Sequence, residues 1–134
     1  MNSIEESRSA ARALVAEVRG YLPAAGPVGD HEVVDAARPC RDAAQTDRLW
    51  EHQVSVEFSR GIDTRQVAQR VVSALVSDGW RLRSDWSNTR NANMVLTREG
   101  RTSRLETVQI LSNGAYPKYG PSVDIGTAGP CADE

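Results

Sequence analysis

"GIDTRQVAQRVVSALVSDGW", residues 61–80, runs straight into "RLRSDW", residues 81–86, and this stretch decides the fold. Asp63 and Gln66 stand at capping-box spacing, where two side chains satisfy free backbone N–H groups of a first helical turn. Ile62 and Val67 occupy the positions of a hydrophobic staple. Val67, Val71, Ala74 and Leu75 recur at helical spacing. Gly79 suits the left-handed residue that closes a helix. The period then changes from helix to strand. Trp80, Leu82 and Trp86 alternate with Arg81, Arg83 and Asp85, which places the first set in a core and the second in water.

The flanking segments extend this pattern in both directions. "WEHQVSVEFS" (50–59) alternates His52, Val54, Val56 and Phe58 with polar residues. Upstream, Ser3 and Glu6 form a second capping box, followed by the apolar stripe Ala11, Leu14, Val15, Val18 and Leu22. Gly20 and Pro23 end that helix. Downstream, "MVLTR" (94–98), the tight-turn pair Glu99-Gly100, "RTSRLETVQIL" (101–111) and "SVDIG" (122–126) read as further strands. The expected order is α-β-α-β-β-β-β. Strands joined by short turns imply an antiparallel meander, hence an α+β two-layer sandwich with helices packed on one face.

At 134 residues the chain is expected to form one domain. Residues 1–22 are the N-terminal helix and 23–48 a long connection with three prolines and two glycines. Residues 49–126 are the β-α-β-meander core, and 127–134 a tail. A net charge of −2 gives no basic field, so nucleic acid is not a favoured partner. No apolar run is long enough to span a bilayer. Met1 is followed by acidic, amphipathic sequence rather than an export signal. Two readings follow: a cytosolic protein, or the mature portion of an exported one.

Catalytic chemistry finds little support. His52 falls on an apolar strand face, the usual place of a core histidine. His31 lies between Asp30 and Glu32, a poor metal or acid–base site because adjacent side chains diverge. No zinc spacing, phosphate-binding loop or serine-hydrolase motif occurs, so no catalytic, metal or cofactor-binding residues are assigned. Interaction candidates are the six arginines from Trp80 to Arg104, interleaved with Trp80 and Trp86: Arg81, Arg83, Arg90, Arg98, Arg101 and Arg104, of which Arg81, Arg83, Arg98, Arg101 and Arg104 are the assigned surface. Such a face suits an anionic ligand. The simpler reading is a wet sheet face whose two tryptophans fill the core. Tyr116 and Tyr119, in "YPKYG", either form a binding surface or pack on their own loop.

The two cysteines, Cys40 and Cys131, permit one disulfide from the long connection to the tail; the alternative is two unrelated thiols. A bond would place the chain in an oxidising compartment. The run "LVSDGWRL", the meander, and "GPC" soon after the last strand resemble the extracytoplasmic domains of small actinobacterial lipoproteins, the mycobacterial type included, over roughly residues 39–131. The resemblance implies a place in the cell envelope; together with the cysteine pair and the lack of a catalytic constellation, it leads to the expectation of a non-enzymatic domain binding a protein partner or envelope component. The resemblance also implies a membrane attachment only through a lipid anchor outside this chain. A cytosolic immunity or regulatory module is the alternative.

Overall fold

A computed structural model describes residues 3–40, 47–100, 104–115 and 119–132. Eight elements follow in order: α1 (Ile4–Arg19), β1 (Pro27–Pro39), β2 (Arg48–Phe58), α2 (Thr64–Ser77), β3 (Arg81–Asp85), β4 (Asn93–Glu99), β5 (Leu105–Asn113) and β6 (Ser122–Ala128). The strands form one antiparallel sheet in the order β1-β2-β6-β5-β4-β3, and both helices lie on the same side of it. The fold is α+β. Helix α2 carries the chain from β2 to the far edge, and the meander β3-β4-β5-β6 returns to close against β2.

Helix α1 starts with the full expected capping box and α2 with one half of it. Ser3 and Glu6 make the reciprocal capping box. Asp63 accepts the Gln66 N–H. Gly79 takes φ +105°, the left-handed value that a side chain disfavours. Ala11, Leu14, Val15, Val18 and Leu22 are all buried, as the stripe of α1 requires. On α2 the buried line is Thr64, Ala68, Val71, Val72 and Leu75, with Val67 and Ala74 at its margin. These residues close over a cluster from alternate strand positions: Val56, Phe58, Met94, Leu96, Val108, Ile110, Val123 and Ile125.

The element order departs from expectation in one place. The connection at 23–48 contains β1, a 13-residue strand paired with β2 from Pro27↔Phe58 to Pro39↔Arg48. Its sequence hid it for a physical reason. β1 is an edge strand with no fully buried residue, and register shifts at Pro27/Gly29 and Glu32/Val34 break the two-residue period. An alternation test therefore fails on it.

Strand β3 slips in the same way. A register shift between Leu82 and Ser84 ends the expected alternation. Trp80 is buried at 2% exposure, but Trp86 stands 68% exposed, so only one of the two tryptophans fills the core. The last strand extends two residues past "SVDIG", and the tail is docked: Ala132 pairs with Arg48 and is buried. The disulfide Cys40–Cys131 joins the β1 end to this tail, with Cα atoms 6.0 Å apart.

Candidate functional site

The two faces of the sheet differ in what they carry. Helix α1 is held to its face by polar contacts as well as by burial. Arg12 forms an ion pair with Asp35 of β1, and Arg19 makes a two-pronged contact with Asp30 at 3.0 and 3.1 Å. Ser7 Oγ accepts the Trp50 N–H at 2.9 Å, and the Arg8 guanidinium sits 5.2 Å from the Trp50 ring centre. The Trp50 indole donates to Asp35 Oδ1 at 2.7 Å. Arg12 and Trp50 together hold the Asp35 carboxyl down at about 2.

This corner also brings Glu32, Asp35 and His52 within ligand distance of one another, the spacing of a metal site. Arg12 contacts both carboxylates. A guanidinium therefore already fills the position a cation would take, and the cluster reads as the anchor of α1. His52 Nδ1 is buried 3.3 Å from Asp35 Oδ1 without hydrogen-bond geometry, so His52 is a core histidine, as its strand position indicates.

The structure divides the candidate arginines between the two faces. Arg98 belongs to the helix side, where it donates to Glu17 at 2.6 and 2.9 Å and to Glu106 at 2.9 Å. Its guanidinium lies 4.5 Å from the Trp80 ring centre. Two carboxylates and an aromatic face occupy it, leaving little for an external anion. Arg104 lies beside α1, in a hollow with Glu17 and Glu106. Arg81 and Arg83 are exposed on β3 and form no ion pair among the described residues. Arg83 Nε donates to Thr97 Oγ1 at 2.7 Å. Arg101 and Tyr116 lie outside the described residues. Of the described arginines of the expected face, Arg81 and Arg83 form a basic edge, Arg98 turns to Glu17 of α1, and Arg104 lines the hollow beside that helix.

No described helix covers the opposite face. One end carries a hollow of about 200 Å³ lined by His31, Ser55, Glu57, Asn113 and Tyr119. His31 Nε2 stands 3.5 Å from Glu57 Oε2, and Glu57 Oε1 accepts the Gly120 N–H at 2.8 Å. That backbone bond, then His31, lowers the Glu57 carboxyl below its usual range. Tyr119 is 61% exposed at the rim, available for contact rather than folded under its loop. Beside this hollow a trough of about 630 Å³ crosses the sheet from Glu51 and Gln53 to Trp86. Of this face, Trp86 was read as core, and Gln53, Gln109 and Gly126 were not singled out by sequence reasoning. A glycine within the alternating "SVDIGTA" was the available signal.

No family model matches the chain, and no curated protein or solved structure matches it. The disulfide fits a location outside the cytoplasm. No described helix is long and apolar enough to cross a membrane.

Proposed function

We propose that this chain is a non-enzymatic domain of the bacterial cell envelope, held outside the cytoplasmic membrane, that binds an envelope component or partner protein through its uncovered sheet face. The disulfide carries the reading. Cys40 and Cys131 are 91 positions apart and close the β1–β2 hairpin onto the C-terminal tail. A structural bond of this kind is kept in oxidising compartments and is rare in the cytosol. The uncovered face adds the surface: helices occupy one side of the sheet, while the other presents Trp86, Leu105 and Tyr119 to water. Attachment to the membrane through a lipid anchor, as in the lipoproteins the chain resembles, belongs to the same proposal.

The test is to block thiols with N-ethylmaleimide in intact cells making the natural protein, then measure its mass before reduction and after reduction followed by a second alkylation. The reading expects no adduct before reduction and two afterwards. Two adducts before reduction would overturn it and favour the cytosolic interaction module.

A further inference from the structure

We propose that the trough across the open sheet face binds a neutral, hydroxyl-rich saccharide chain, stacked on Trp86 and held by Gln53 and Gln109 over Gly126. The proposal names the ligand class for the face assigned above and rests on that assignment.

It begins with one row of the sheet. Gln53 of β2 pairs with Gly126 of β6, which pairs with Gln109 of β5, which pairs with Val95 of β4. Gly126 is therefore interior to the sheet, where glycine weakens a strand and commonly marks close approach by a ligand or another backbone. Its own backbone does not require glycine, since positive φ occurs at Gly26, Gly61 and Gly79 instead. Crowding does not require it either. A Cβ at 126 would meet only Gln53 carbons, at 3.4 Å or more, which is ordinary contact. With no side chain at 126, the Gln53 side chain lies over the backbone there, its Cγ 3.4 Å from where a Cβ would stand.

Trp86 bounds the trough at the other end. Its backbone N–H donates to the Asn93 carbonyl at 2.8 Å, which fixes its position beside β4, while its side chain stays in water. From β2 to the β3 edge the trough crosses four strand intervals, about 19 Å at about 4.8 Å each. This is long enough for a short oligosaccharide. The volume of about 630 Å³ falls within the range of ligand sites.

The charge selects among occupants. Glu51 is the one lining residue with a formal charge among the described residues, and it is paired with Arg38 at 3.5 Å. A nucleic acid strand or anionic lipid would find no cation in the trough. Gln53 Nε2 donates to Asp124 Oδ2 at 3.5 Å and Gln109 Nε2 to Asn93 Oδ1 at 3.1 Å, and each amide keeps an oxygen and a second N–H for sugar hydroxyls. A flat indole face suits the C–H face of a pyranose ring.

The test uses the full oxidised chain, labelled with nitrogen-15 and titrated with maltotetraose, chitotetraose and mannotetraose to about 10 mM, ten times a Kd of about 1 mM. At least one sugar is expected to shift the Trp86 indole N–H, the Gln53 and Gln109 amides and the Gly126 N–H. Trp86→Ala and Gly126→Val should each weaken binding about tenfold or more while leaving the rest of the spectrum folded. Arg70→Ala, on the outer side of α2, should bind normally. Four results would overturn the proposal: no response to any of the three sugars, shifts outside the trough, normal binding by Gly126→Val, or shifts of the same resonances with protein concentration alone. The last would mean that a second copy of the chain takes the trough. If the sugars fail while the cysteines take no N-ethylmaleimide before reduction, the ligand class is wrong and the envelope reading stands.

Discussion

Ile125 and Gly126 are neighbours on β6, yet they belong to different economies of the molecule. Ile125 faces the helices, is fully buried and pairs with Ile110 and Val54. Gly126 faces away, between two glutamines, and contributes no side chain. The same contrast holds across the sheet. One face is completed by the protein's own helices, and their contacts hold α1 at both flanks. The other is half-polar, carries an exposed tryptophan and is covered by no described helix. A sheet buried on one side and wet on the other is a stable arrangement. An exposed Trp86 and an interior glycine go beyond what stability asks of the wet side.

The largest expected effect falls on neither face. Replacing both cysteines, Cys40→Ser with Cys131→Ser, removes a closure of 91 residues and should cost about 4–5 kcal/mol in urea denaturation by the chain-entropy argument. A loss under about 1 kcal/mol would mean that the helix-covered face alone holds the tail. Next is Ile125→Ala, expected to cost about 3–4 kcal/mol by cavity formation in the covered face.

Gly129→Ala probes how closely α1 sits. A Cβ there would strike the Ser7 carbonyl, and Gly129 itself is held by its N–H to the Trp50 carbonyl at 2.8 Å. A loss of about 2 kcal/mol is expected, with weakened protection of α1 amides in hydrogen exchange. No change in either would show that α1 docks loosely.

Asp35→Asn tests the polar anchor. Asp35 titrates near 2 in the folded chain, against about 3.9 unfolded. Its contribution is thus fully present above about pH 4 and is lost as pH falls through 2. The variant should lose about 1–2 kcal/mol at neutral pH and show a flatter decline in stability over that acid window. An unchanged acid limb would place the stabilising pairs elsewhere.

Much of the fold was legible because local signals agreed with one another. Caps, stripes and alternation coincide on α1, α2, β2, β4 and β5, where one face is buried and the period is clean. The sheet edges were not legible. β1 and β3 are bulged and lack a continuous buried face, so the two-residue period that marks a strand is absent or slips. The candidate site suffered from the same slip. Trp86 read as core because the alternation was carried through a bulge at Leu82/Ser84. The arginines read as one face because sequence spacing does not reveal that Arg98 turns to Glu17, 81 positions away. The cysteine pair was open to two readings because sequence cannot bring position 40 to position 131; the pairing of β2 with the tail through Arg48 and Ala132 does so.

The smallest expected effect tests the central claim most directly. That claim is that the helix-covered face holds the fold while the opposite face is free for a ligand. Urea denaturation of Gly126→Val measures it, because valine suits a strand better than glycine and its Cβ would meet its nearest atoms, those of Gln53, at 3.4 Å or more, which is ordinary contact. The account predicts a midpoint equal to or above that of the natural chain. A fall of more than about 1 kcal/mol would contradict it, because the open face would then be packed and needed for folding.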